Sequence, residues 1–263
     1  ICNVIKKGDL VLIESTSPVG TTEKVAEIIQ NLTGLDKDAV NIAYCPERVI
    51  PGATLKELVQ NDRVVGGLTL KATQKASSFY SSFCQGKILE TNSRTSELVK
   101  LTENAFRDVN LAFANEISIV CDELDVEVNN LVKLANHHPR VNILNPGCGV
   151  GGHCIAVDPL FIAHSLPKST ELIQKARIIN TQKTKWVIEK IVTMANKMKS
   201  NLGYDPKIGC LGLAYKPNVD DLRESPALFI TRELIKLKLN ILPCDPNIKK
   251  LDNLDLYKLE KVL

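Results

Sequence analysis

Apolar and polar positions follow two different periods along this chain. "DLVLIEST" (Asp9–Thr16) is a continuous apolar, β-rich run and predicts a buried strand. After the turn "SPVG", Val25, Ile28, Ile29 and Leu32 recur at helical spacing and predict one apolar helix face. Thr21 is placed to cap that helix, and Glu23 suits its positive first turn. "VNIAYCPE" and "DRVVGGL" read as further strands and "KATQKASSFYSSF" as a helix. Strands alternating with helices predict an α/β unit with a mostly parallel sheet.

The pattern changes near Thr91. From Thr95 to about Leu124 there is no Gly or Pro. Leu98, Leu101, Ala105, Val109, Ala112, Ile117 and Val120 predict one helix there, roughly 45 Å long. A shorter helix is expected over Glu127–Asn136. A second long one is expected from about Ser169 to Lys199, carrying Leu172, Ile173, Ala176, Ile179, Trp186, Val187, Ile191 and Met194. "NLGYDP" (Asn201–Pro206) reads as a linker. "KIGCLGLAY", "SPALFITRELIKL" and "NILPCD" then read as strand, helix and strand, with Pro226 near the helix start. The expected layout is the end of one α/β domain (1–92), an all-helical middle (93–200) and the start of a second α/β domain (201–263). Ile1 is not a Met, and both ends fall inside apparent domains, so a fragment is expected. Its first sheet would then have lost strands and would expose an apolar edge.

Composition narrows the function class. The chain has 263 residues, 24% charged and 44% hydrophobic, as in ordinary globular proteins. A net charge of +3 with no basic block gives no reason to expect nucleic acid. No apolar run approaches a membrane span, and Ile1–Ile13 is no signal peptide. The eight cysteines show neither a disulfide framework nor a CxxC pair. Reduced thiols in a cytoplasm are expected, most of them small buried hydrophobes, and no metal site.

The candidate chemistry centres on "NPGCGVGGHCIAVDP" (Asn145–Pro159), with four glycines and two cysteines between Gly147 and Cys154. Gly147 to Gly152 matches G-x-G-x-x-G. A dinucleotide fingerprint should open a helix, however, and Asp158-Pro159 follows too soon. Cys148, His153 and Cys154 lack further ligands at metal spacing. Two readings stay open: a flexible backbone that passes close to a ligand and ends in a nucleophilic Cys154, or a tight turn around a buried thiol. Lys100 and Asn104 share a helix face and could stabilise an oxyanion, or could be a solvated face. Glu47 follows a strand, at the sheet edge where α/β proteins hold ligands, or is a plain surface residue. Lys216 and Arg223 lie in a strand-to-helix loop that suits phosphate, or Arg223 pairs locally with Asp220 or Asp221.

Together, "ESTSPVGTT", "CPER", "ELVKLTENAFRDVNLAFANE", "HPRVNILNPGCGVGGHCIAVDP" and "GLAYKPNVDDLRESPA" resemble the UDP-glucose/GDP-mannose dehydrogenase family, in that family's order from Glu14 to Ala227. "PERVIPG" and "GVGGHCIAVDP" are similar to the branch acting on UDP-N-acetyl-D-mannosamine. The resemblance implies the C-terminal part of a Rossmann NAD domain, a helical dimerisation domain and a truncated Rossmann-like UDP-binding domain. It also implies that the NAD site is incomplete here, because the family's G-x-G-x-x-G unit precedes these motifs. The implied activity is two-step NAD-dependent oxidation of a sugar C6 alcohol to a carboxylate, for surface polysaccharide precursors. Cys154 would add to the aldehyde to form a thiohemiacetal, which is oxidised to a thioester and hydrolysed. Lys100 would stabilise the oxyanion with Asn104 beside it. Thr16 and Asp158 would position water and support proton transfer, and Glu47 would assist hydrolysis. Substrate contacts are implied at Arg140 (across a homodimer interface), Lys216, Gly151, Gly152 and Arg48, and NAD contacts at Arg223, Ser15 and Thr16. His153 is left as a loop residue. Two departures from the UDP-glucose enzymes, Pro51 and Val157, leave the hydrolysis base and part of the NAD contact open. The alternatives are UDP-N-acetylglucosamine or another UDP-sugar as substrate, and a non-catalytic dimeric scaffold that holds a UDP-sugar.

Overall fold

The structure, a computed structural model, describes residues 1–36, 38–49 and 53–263. The chain divides into two compact units, Ile1–Glu103 and Asn104–Leu263. Pro51 lies outside the described residues.

The first unit runs β1 (Leu10–Ile13), α1 (Thr21–Thr33), β2 (Asn41–Tyr44), α2 (Thr54–Gln60), β3 (Arg63–Gly67), α3 (Leu70–Ser81) and β4 (Ile88–Asn92). The sheet order is β1-β2-β3-β4, with β1–β2 and β3–β4 parallel and β2–β3 antiparallel. Side chains alternate across the sheet. Ile42 packs with Ala26 and Ile29 of α1, whereas Ala43 and Val65 pack with Ala76 and Tyr80 of α3. The two helices therefore cover opposite faces.

Three expectations are corrected here. β1 is shorter than its apolar run and only half-buried, because it forms an edge of the sheet. Gly20, with φ 95°, takes the N-cap position of α1, and Thr21 is already helical. The buried face of α1 is Thr22, Ala26 and Ile29, while Ile28 and Leu32 face outward. The rotation follows from Thr22, whose hydroxyl is held inward by a carboxylate described below. Two elements of the first unit had no anticipated counterpart, α2 and β4.

α4 (Ser93–Glu123) continues without a break from the first unit into the second. The second unit then contains α5 (Val128–Ala135), α6 (Asp158–Ser165), α7 (Glu171–Leu202), β5 (Lys207–Leu211), α8 (Pro226–Lys236), β6 (Asn240–Cys244) and α9 (Leu259–Val262). β5 and β6 are parallel with α8 between them, the expected strand–helix–strand unit. Ser225 caps α8 by accepting the Leu228 N–H, and Pro226 fills the first turn, where its missing N–H costs nothing. Ile230, Leu234 and Ile241 form a core with Val187, Ile188 and Ile191 of α7. α7 runs past the expected linker start to Leu202 and ends on Gly203 at φ 78°. Asp158-Pro159 does not simply interrupt: it opens α6, with Pro in the first turn.

No helix among the described residues is long and apolar enough to cross a membrane. None of the eight cysteines is in a disulfide. Cys45, Cys121 and Cys244 are buried and the other five are half-buried, so fewer are buried than expected. No cluster of metal-ligating side chains occurs among the described residues.

Candidate active site

The glycine-rich loop of the second unit is pinned along its length by side chains from two helices. Asn110 of α4 donates to the Asn142 carbonyl at 3.0 Å and accepts the Leu144 N–H at 3.1 Å. Asn115 of α4 accepts the Gly147 N–H at 2.8 Å. Thr184 of α7 donates to the Cys148 carbonyl at 2.8 Å. Beyond the loop, Asn104 of α4 donates to Asp158 Oδ2 at 2.6 Å, and both residues are buried. The face carrying Asn104 is therefore not a solvated one.

The two cysteines of the loop have different surroundings. Cys148 packs against the core of α7, α8 and β6, and burial pushes its thiol up. Cys154 is half-buried. Its carbonyl accepts the N–H groups of Val157 and Asp158, so it closes the turn that opens α6. Arg223 and Tyr215 both lie within electrostatic reach of the Cys154 thiol.

Gly151 and Gly152 allow close packing on the loop before α8. A Cβ at Gly151 would lie 2.5 Å from the Glu224 carbonyl oxygen. At Gly152, where φ is +83°, it would lie 2.8 Å from the Tyr215 ring. The Gly152 N–H donates to the Arg223 carbonyl at 3.0 Å. Tyr215 was not anticipated, although it adjoins Lys216 in "GLAYKP". Burial pushes its hydroxyl up, with the Asp221 and Cys154 charges adding to the shift and Arg223 opposing it.

Arg223 does take the local partner. Its guanidinium grips Asp221 through both carboxylate oxygens at 2.7–3.1 Å. That grip, with the Arg223 backbone N–H, lowers Asp221 from the usual 3.8 to about 2. His153 is exposed and contributes to the field on Asp221. The Lys216 ammonium lies 5.8 Å from the Tyr215 ring centroid. Arg140 is exposed in the loop after α5. Val157 lines a cavity of about 600 Å³ together with Val150, Ala156, Thr181 and Phe229.

The remaining candidates belong to the first unit. Ser15 is exposed and Thr16 half-buried, both just beyond the C-terminal end of β1. Glu47 follows β2, and its Oε1 accepts the Arg48 and Val49 N–H groups at 2.7 and 3.0 Å. Its Oε2 lies 3.8 Å from the buried Arg63 guanidinium. Arg48 is ion-paired with Glu103. Lys100 is half-buried on α4, one turn before Asn104.

Glu97, three residues before Lys100, was missed from sequence. It is fully buried, and its carboxylate accepts the Gly20 N–H at 2.6 Å, the Thr22 N–H at 2.7 Å and the Thr22 hydroxyl at 2.6 Å. The N-terminus of α1 is thus filled by a carboxylate of the protein itself and is not open to a phosphate.

Three consecutive family models match the chain. They are the NAD binding domain (residues 1–84), the central domain (94–182) and the UDP binding domain (209–262) of the UDP-glucose/GDP-mannose dehydrogenase family. A UDP-N-acetyl-D-mannosamine dehydrogenase of Campylobacter jejuni is 53% identical over 260 residues, covering 95% of this chain and 63% of its own length. An NDP-N-acetyl-D-galactosaminuronic acid dehydrogenase of Ralstonia solanacearum is 48% identical over 261 residues, covering 95% and 60%. The structure of a UDP-D-ManNAc dehydrogenase from Pyrococcus horikoshii superposes with a TM-score of 0.88 at 42% identity, covering 99% of this chain and 62% of that one. The chain thus spans less than two thirds of the length of these relatives.

Proposed function

The chain belongs to the UDP-glucose/GDP-mannose dehydrogenase family, and from that premise we propose that the whole protein is a UDP-N-acetyl-D-mannosamine 6-dehydrogenase. It oxidises the sugar C6 alcohol to a carboxylate in two steps. The carrying observation is the pinned loop, with Cys154 at the mouth of α6 and the buried Asn104–Asp158 pair just after it.

Cys154 is the nucleophile that adds to the C6 aldehyde, and the acyl group leaves it by hydrolysis of the thioester. Lys100 and Asn104, one turn apart on α4, stabilise the oxyanion formed at each addition. The Asn104 nitrogen carries two hydrogens, and only one is committed to Asp158. Asp158 and Thr16 hold the hydrolytic water. Glu47 assists as a carboxylate held by two backbone N–H groups and Arg63. Lys216, Arg48, Arg140, Gly151 and Gly152 contact the UDP-sugar.

NAD, when bound, supplies the hydride acceptor. The donor set of the first unit fits it in part: the Ser15 and Thr16 hydroxyls lie at the carboxyl end of β1, whereas the α1 N-terminus is already filled by Glu97. Arg223 serves the cofactor side from the second unit. The proposed domains are 1–92 for NAD, 93–200 for dimerisation and 201–263 for UDP.

A homodimer through the central helices is supported by an apolar stripe on α4. Phe106, Phe113 and Val120 recur every seven residues and are 68%, 49% and 42% exposed. A cytoplasmic location fits the substrate and cofactor.

A second reading keeps the mechanism and changes the sugar to another N-acetylhexosamine. The Ralstonia relative at 48% identity favours it. The test is to incubate the whole protein with NAD and limiting UDP-N-acetylmannosamine and count NADH per sugar. Two per sugar supports the proposal. One means that oxidation stops at the aldehyde, which removes the role of Glu47. None, with turnover of a sister UDP-sugar, changes the substrate, and none on any UDP-sugar leaves a binding scaffold. Cys154→Ala is expected to abolish turnover, and full activity in that variant would end the mechanism.

A further inference from the structure

A line of buried polar side chains lies behind the glycine-rich loop, and the chemistry above does not use it. Asp108, Asn115 and Asn180 are 0%, 0% and 1% exposed. Asn180 Nδ2 of α7 donates to Asp108 Oδ1 at 2.8 Å and to the Asp108 carbonyl at 3.1 Å. Asn115 Nδ2 donates to Asn180 Oδ1 at 2.8 Å. The Gly147 N–H donates to Asn115 Oδ1 at 2.8 Å. Arg177 Nη1, from the same helix as Asn180, donates to Asp108 Oδ1 at 2.6 Å.

We infer that Asp108, Asn180 and Asn115 form a directional relay that positions the thiol-bearing loop through the Gly147 N–H. An ionised carboxylate only accepts, and an amide accepts at one end and donates at the other. Asp108 therefore turns the NH2 end of Asn180 toward itself. Asn180 must then present its oxygen to Asn115, and Asn115 must present its oxygen to Gly147. Reversing any amide would set donor against donor. The direction of the chain thus starts at one charge and ends at a backbone N–H seven residues before Cys154.

Packing alone does not account for the charge. Asp108 Oδ2 is buried with no partner among the described residues, so the carboxylate is held with half of its acceptor capacity unused. A neutral side chain would avoid that cost if filling space were the only requirement. The carboxylate is what makes the site acceptor-only. Asp108, Asn180 and Asn115 are positioning residues, since they act on the loop and not on the reacting atoms.

The inference rests on Cys154 being the nucleophile, but its first test does not. In the whole wild-type protein, hydrogen exchange at Gly147 is expected to be strongly protected. Exchange at the rate of a free loop amide overturns the relay whatever the activity. Asn180→Asp sets two carboxylates against each other, and kcat is expected to fall about tenfold with KM for the UDP-sugar unchanged. Gly147 protection is expected to fall with it.

Adding Asp108→Asn moves the charge along the chain and restores a donor between positions 108 and 180. It is expected to recover part of the lost kcat and of the Gly147 protection, because the backbone carbonyl of residue 108 still faces the new carboxylate. A double variant no better than Asn180→Asp alone, or Asn180→Asp with wild-type kcat and protection, overturns the relay. If Asn180→Asp does not fold, the wild-type exchange measurement decides. Turnover surviving in Cys154→Ala would remove the catalytic reading while leaving the Gly147 result interpretable.

Discussion

The turn at Gly20 and the loop from Gly147 to Gly152 both expose backbone N–H groups next to the start of a helix, yet they are satisfied in opposite ways. At Gly20 the donors converge on a buried carboxylate, Glu97, which closes the turn from inside. At the glycine-rich loop, the Gly147 N–H goes to a neutral amide of α4 and the Gly152 N–H to the Arg223 carbonyl, and Cys154 stays half-buried. A filled helix N-terminus stabilises the fold and offers nothing to an anion. A loop held from behind keeps its front available. Glycine content alone does not distinguish the two.

The contrast can be broken at Glu97 first. Glu97→Leu leaves the Gly20 and Thr22 donors unmet in a buried site, so a stability loss of about 3 kcal/mol is expected in urea denaturation. A loss below about 0.5 kcal/mol would show that the turn does not depend on the carboxylate.

The front of the loop is tested by Gly152→Ala, expected to cost about 1–2 kcal/mol. Its left-handed backbone and the contact with Tyr215 both contribute. Adding Tyr215→Ala should return only the contact part, measured as the difference between the two unfolding midpoints. Full recovery would mean that the backbone conformation carries no penalty.

The smallest effect concerns the exposed Asp221–Arg223 pair. The Asp221 value is lowered in the folded protein from 3.8 to about 2. The pair's contribution is therefore present above 3.8 and lost as pH falls through about 2. Arg223→Ala should return the Asp221 carboxyl carbon titration, followed by NMR, toward the ordinary carboxylate range. An unchanged midpoint would assign the shift to the loop backbone instead.

Periodicity made the long helices legible, because α4 and α7 run for 31 and 32 residues without a Pro or Gly. The strand–helix–strand order at the C-terminal end was equally plain. Short elements were not. β4, "ILETN", carries too little apolar pattern to stand out, and the buried face of α1 was misread because Thr22 points inward to Glu97. The candidate site was legible as motifs, while its supports were not. Glu97, Asp108 and Asn115 look like surface residues of a polar helix. Only the tertiary fold brings Gly20, Asn180 and Gly147 to them.

From a single helix, the asparagines at 110 and 115 hold two separate points of one irregular segment, and the asparagine at 104 holds the start of the helix that follows it. Side chains on that stretch of α4 that hold no part of the segment can be exchanged one at a time, but its length cannot. One inserted or deleted residue between Asn104 and Asn115 would swing every later side chain by about 100° and slide it about 1.5 Å along the axis. All the pins beyond the change would then miss together. Descendants of this chain can drift at the positions of α4 that hold none of these contacts, whereas gaps in their alignment should fall elsewhere.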